Sequence, residues 1–212
     1  MSYEPRKKNK GFTHATAGFT IIEALIAIAI LAVAASAALG IAQKALSSAY
    51  YSQDQTTAFF LAAESVELVR NLRDNVYLVN IDRIANEEPL VNWLEALKTA
   101  GCVGVGSYGN YCDIDPLGNF QLDGYGVLVD NSDGAVVNNN CGSSGCLLKQ
   151  TSSGVYSSYS GTTPTKFRRS IRLNERVAGK ELDMEVRVTW TTGSYGQNEF
   201  IVYPTIFTLN AE

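Results

Sequence analysis

The feature that most restricts how this chain can fold is an apolar run from Phe19 to Ala42, 24 residues that carry a single charge, Glu23. A helix rising ~1.5 Å per residue crosses the ~30 Å hydrocarbon core of a bilayer with that many residues. Arg6, Lys7, Lys8 and Lys10 precede the run, and basic residues favour the cytoplasmic side of a span. The pattern predicts a single-pass membrane protein with its N-terminus inside and the bulk of the chain exported.

Two details argue against simpler readings of the run. A secretory signal peptide has a shorter apolar core, with its small-residue cleavage site after that core. Here the small residues Ala15-Thr16-Ala17-Gly18 come first, so a cut there would leave the hydrophobic segment as the new N-terminus. A plain anchor does not account for Glu23, because a carboxylate in hydrocarbon costs on the order of 2.5–3.5 kcal/mol. A cut after Gly18 would create a cationic amine on Phe19, and Glu23 of one copy could pair with that amine on a neighbour.

Gly18-Phe19-Thr20-Ile21-Ile22-Glu23-Ala24 resembles the prepilin signature of type IV pilins and pseudopilins. The resemblance implies that a prepilin peptidase/methyltransferase cuts between Gly18 and Phe19 and methylates the new Phe19 amine. It also implies that Glu23 and Phe19 guide assembly with other pilin or pseudopilin subunits on an inner-membrane platform. The implied fold is α+β and type IV pilin-like: a long N-terminal helix, membrane-embedded in its first half and packed by its second half on a C-terminal antiparallel sheet. The corresponding division is a leader at 1–18, a membrane or filament-core half-helix at 19–42 and an exported head at 43–212. The subunit would start in the cell membrane and end in an extracellular or periplasmic filament. Gly40 falls where the best-known members carry a helix-breaking proline, which leaves unwinding of the helix on assembly open.

Charge and histidine content bear on function. Loss of residues 1–18 removes four basic residues and Glu4, taking the formal charge from -4 to -7. An acidic exported part disfavours a nucleic-acid surface, which needs clustered Lys and Arg. Arg168, Arg169 and Arg172 are the one local basic cluster; on a strand Arg168 and Arg172 share a face and Arg169 takes the other, as in a solvated sheet edge or subunit contact. The single histidine, His14, lies in the leader, so a cut chain lacks histidine-based catalysis and histidine zinc ligands. Glu87 and Glu88, or Asp113 and Asp115, read as helix-start and turn residues rather than an acid/base pair. No enzyme and no cofactor is expected.

Four cysteines, Cys102, Cys112, Cys141 and Cys146, read as disulfides in an exported domain, with three pairings open. Local pairing, Cys102 with Cys112 and Cys141 with Cys146, closes two loops rich in Gly, Ser and Asn. A four-thiolate zinc site competes, although only the second pair has suitable spacing. Asp130 and Asp133 could offer oxygens to calcium, but their spacing fails the EF-hand pattern and a plain turn is the simpler reading.

Phe59, Ala62, Val66, Val69, Leu72 and Val76 recur at helical steps, so the helix is expected to continue to about Tyr77, with Val79 to Ala85 ambiguous. Glu64, Glu67 and Arg70 lie off this stripe, and Arg70 precedes Asp74 by one turn. A short helix is expected near 89–100, with Leu90, Trp93, Leu94 and Leu97 on its apolar face and Gly101 ending it. From Cys102 to Thr165 the composition predicts short strands and loops, with apolar runs at Tyr125 to Val129 and Cys146 to Leu148. Met184, Val186, Val188 and Trp190 alternate with polar residues as in a half-buried strand. With Phe167 to Leu173 and Glu199 to Thr208 they predict a three-stranded antiparallel sheet near 166–209, covered by the helical stripe. Phe-Arg-Arg-Ser-Ile-Arg-Leu at 167–173 also resembles the minor-pilin branch. The expected function is a minor pilin or pseudopilin; the alternative is a non-polymerising, single-span surface binding or adhesion protein.

Overall fold

The computed structural model describes residues 18–99, 101–117, 121–122, 128–129, 137–139 and 141–207. Residues 1–17, His14 included, the Asp130 to Gly134 segment and most of the Tyr125 to Val129 run lie outside these residues, as do the last five positions. The architecture is α+β and type IV pilin-like: one long N-terminal helix and a C-terminal antiparallel sheet. The chain divides into two units, 1–46 and 47–212.

Helix α1 runs from Ile21 to Ala85 without interruption, through Gly40. In the first unit its apolar side chains face outward, Ile21, Ile22, Ile28, Leu31, Val33 and Leu39 among them. In the second unit it buries Ala58, Leu61, Ala62, Ser65, Val66, Val69, Leu72 and Val76. Phe59 does not join them: it is 51 % exposed and stacks edge-on against Phe200. Ala62, Val66, Val69, Leu72 and Val76 of the expected stripe are buried, with Ala58 in place of Phe59, which marks the border. Arg70 pairs with Glu67 at 2.6 Å rather than with Asp74, which Arg73 takes at 2.7 Å.

The helix continues eight residues past Tyr77 because its last turns are held from outside. Asn80 donates from Nδ2 to the Val91 carbonyl at 3.0 Å and accepts the Val91 amide at 2.9 Å, while Arg83 Nε reaches the Pro89 carbonyl at 2.6 Å. Glu87 takes the left-handed conformation at φ 57°. The Glu88 amide returns to the Arg83 carbonyl at 2.8 Å and the Glu87 amide to Ile84 at 3.2 Å, a Schellman closure. Glu87 and Glu88 thus end one helix rather than begin another. The same clasps keep 89–92 out of helix, so α2 spans only Glu95–Thr99 and Leu90 stays 55 % exposed. Trp93, Leu94 and Leu97 are buried. Gly101, at φ 76°, accepts the left-handed turn that ends α2, with Cys102 N bonded to Leu97 O at 3.0 Å.

The main sheet is seven-stranded. Its centre is a long hairpin of β8 (Thr163–Val177) and β9 (Glu181–Thr192), registered from Arg168 opposite Thr189 to Val177 opposite Glu181. The expected third strand is two pieces, β10 (Gly196–Val202) and β11 (Thr205–Phe207), both antiparallel to β9. Pro204 separates them; it lacks an amide donor, and its carbonyl accepts the Met184 amide at 2.9 Å. On the other side β8 pairs with β6 (Cys146–Gln150), which pairs with β7 (Tyr156–Ser157), and with β1 (Val103–Val105) in parallel. Two small ribbons join β2 (Asp113–Ile114) to β5 (Val137–Asn138) and β3 (Gln121–Leu122) to β4 (Leu128–Val129). Phe167, Ile171 and Leu173 of β8 and Leu182, Met184, Val186, Val188 and Trp190 of β9 share one core with the helical stripe.

Candidate processing and assembly segment

Gly18, Phe19 and Thr20 precede the helix and are exposed, Phe19 at 72 %. Thr20 caps α1. Its carbonyl accepts the Ala24 amide at 3.2 Å and its Oγ1 accepts the Glu23 amide at 3.3 Å, the contacts that define an N-cap residue. Thr20 and Glu23 therefore stand as the first and last residues of a capping-box sequence, a local reading that the apolar pattern had hidden. Glu23 is exposed and lies in the first turn, where the helix dipole favours a carboxylate. The Gly18–Phe19 bond lies outside the helix. Among the described residues, one helix is long and apolar enough to cross a membrane by length and composition.

In the second unit the cysteines form Cys102–Cys112 and Cys141–Cys146 disulfides, which removes the thiolates a zinc site would need. Among the described residues no group of three or more His, Cys, Asp or Glu side chains is placed to hold a metal ion. Asp130 and Asp133, the calcium candidates, lie outside those residues.

The basic cluster departs from the solvated edge expected of it. Arg169 is fully buried on the core face of β8. Its Nε and Nη2 donate to the two Asp113 oxygens at 2.6 and 3.3 Å. Nη1 donates to Glu64 Oε2 at 2.6 Å and to the Leu61 carbonyl at 3.3 Å, and Nη2 also reaches the Ile114 carbonyl at 3.0 Å. Burial works against the charge, but Asp113 and then Glu64 outweigh it and raise the Arg169 pKa above its ordinary value. One side chain thus ties α1, β2 and β8 together. Arg172 bonds both Glu185 oxygens, at 3.2 and 2.6 Å, beneath the Tyr108 and Tyr111 rings. Arg168 is exposed and holds the Gly145 carbonyl at 2.9 Å.

Three further buried carboxylates serve as anchors. Asp54 joins α1 to Lys166 at 2.6 Å and to the Thr192 hydroxyl at 2.6 Å. Asp115 accepts the Ser158, Tyr159 and Leu117 amides at 2.9, 3.1 and 2.9 Å. Glu175 accepts Lys98 at 2.9 Å and the Gly179 amide at 2.8 Å. Their partners Lys166, Ser158 and Lys98 lie far along the chain, so no local pattern marks these roles. Asp113 faces Arg169, whereas Asp115 accepts from the Ser157 hydroxyl and the Ser158 and Tyr159 amides, so they do not form a paired acid and base.

Comparison with known proteins gives one family match. Residues 14–39 match the prokaryotic N-terminal methylation motif. No curated protein and no solved structure gives a significant match to the chain. The motif implies processing by a prepilin peptidase and assembly with other pilins, and with the apolar helix it fits membrane anchoring. Such a motif is structural rather than catalytic. Residues 14–39 of this chain are thereby identified as a type IV prepilin signature.

Proposed function

We propose that the chain is a minor pilin or pseudopilin, held in the membrane by residues 19–42 as a prepilin. In this reading it is cut after Gly18, N-methylated on Phe19 and assembled into a type IV pilus or a type II secretion pseudopilus. One observation carries the reading: the matched motif coincides with an exposed scissile segment followed at once by an apolar helix. Cleavage turns the Phe19 nitrogen into a cation, and the Glu23 carboxylate of an adjoining copy can neutralise it. In an apolar filament core that pairing offsets the cost of burying either charge alone. The disulfide-pinned head stays outside, exported as an acidic, non-enzymatic domain.

Mass spectrometry of the N-terminus tests the processing step. The expected terminus is methylated Phe19. An intact Met1, or a cut at another bond, overturns the proposal and favours a non-polymerising surface protein. Glu23→Ala is expected to insert and be cut but to be depleted from sheared filaments; normal incorporation would show that the carboxylate has another role.

A further inference from the structure

Thr20 does more in this structure than occupy a place in the motif. It caps α1, whose first helical residue is Ile21. Ala15 and Ala17 are good helix formers, whereas Thr16, Gly18 and Phe19 are poorer ones, so propensity alone does not fix where a helix entering from Ile21 stops. Were α1 to extend by one turn, the Gly18 carbonyl would become the acceptor of the Ile22 amide. The bond to be cut would then be engaged in the helix. The Thr20 side chain prevents this by taking the Glu23 amide itself, at 3.3 Å, while its own carbonyl takes Ala24 at 3.2 Å. Gly18 and Phe19 are left exposed and non-helical.

We propose that Thr20 is a positioning residue for processing: as the N-cap it keeps the Gly18–Phe19 bond outside the helix, in the form a peptidase can bind. The inference rests on the reading of Gly18–Phe19 as the processed bond. A cap acts on the population of the cleavable conformer and not on bond breaking. Its loss therefore raises the apparent KM and leaves kcat unchanged.

The test uses the full chain in nanodiscs with a prepilin peptidase, comparing wild type, Thr20→Ser and Thr20→Val. Valine keeps the branched shape and removes the oxygen; serine keeps the oxygen. Thr20→Val should raise KM measurably, by at most about fivefold, the factor equivalent to the ~1 kcal/mol of a typical cap, with kcat unchanged. Its Gly18 and Phe19 backbone chemical shifts should move toward helical values. Thr20→Ser should match wild type in both readouts. A wild-type KM for Thr20→Val, or equal impairment of the serine and valine variants, overturns the capping role while leaving cleavage after Gly18 intact. Failure of the wild-type chain to be cut after Gly18 overturns the processing reading itself.

Discussion

Replacing Arg169 by Met is the sharpest test of how the head is held on its helix. The substitution keeps an unbranched apolar stem and removes the guanidinium, whose nitrogens make five hydrogen bonds to Asp113, Glu64, Leu61 and Ile114. The Asp113 carboxylate is fully buried, so it would be left without its counter-charge, and two carbonyls would lose donors. Breaking a buried pair in this way costs ~3–5 kcal/mol. In a chain of this size that corresponds to a melting temperature lower by roughly 10 °C. Trp93 and Trp190 are both nearly buried in the head, so their fluorescence in the full, disulfide-intact chain in detergent reports the transition. The triple variant Arg169→Met, Asp113→Leu, Glu64→Met removes all three charges. It should recover most of the loss, because an apolar set of similar volume is often no worse than a buried ion network. A loss below ~1 kcal/mol for Arg169→Met, or a triple variant no more stable than the single one, would refute the argument that Asp113 depends on this arginine.

Three other outcomes are expected. Burial pushes the Glu175 pKa up, but the Gly179 amide and Lys98 outweigh it and hold it below the ordinary value; its stabilising effect is therefore full above the unfolded pKa of ~4.3 and is lost as pH falls through the lower, folded one. Thermal melts of wild type and Glu175→Gln should differ by a constant amount above about pH 5 and converge under more acidic conditions; a constant gap across the acid range would contradict this. Glu87→Gly should raise stability by about 1 kcal/mol, since the left-handed conformation at φ 57° costs a side-chain-bearing residue that much; an unchanged melting temperature would count against the Schellman closure as a strained end. Converting Cys102 and Cys112 together to Ser should cost ~2–3 kcal/mol on the chain-entropy model, read by the same fluorescence melt, and should weaken the stacking of Tyr108 and Tyr111 on Arg172.

The elements legible in the sequence were those with local causes. The Phe19 to Ala42 run, the alternation at 184–190 and Gly101 behind a short helix each carry their instruction within a few residues, and the structure has α1, β9 and the end of α2 there. The errors fall where a distant partner decides. Asn80 and Arg83 capture the backbone at 89–91, and no count of helix formers in 89–100 could reveal that. Phe59 shares the helical spacing of the stripe, yet the core takes Ala58, one position and ~100° away, and Phe59 lies beside Phe200.

Arg169 shows the same limit in its most consequential form. Strand parity correctly put it on the opposite face from Arg168 and Arg172, but parity says nothing about which face is buried. That depended on Asp113, 56 positions earlier, and Glu64, 105 positions earlier. Charged residues are almost never fully buried unless paired, so a solvated edge was the reasonable reading of three clustered arginines taken alone. The Thr20 cap is the instructive contrast. Its partner is three residues away, and Thr20-Ile21-Ile22-Glu23 satisfies the capping-box pattern, so it was readable. The same glutamate also reads as an assembly charge, which masks the local pattern. The two are compatible: a carboxylate in the first turn favours the capped helix before cleavage and is still free to meet a neighbour's amine afterwards. A residue assigned to assembly can therefore also help set where the helix begins, and filament incorporation measured on chains already cut separates the assembly role of Glu23 from any effect on the KM of cleavage.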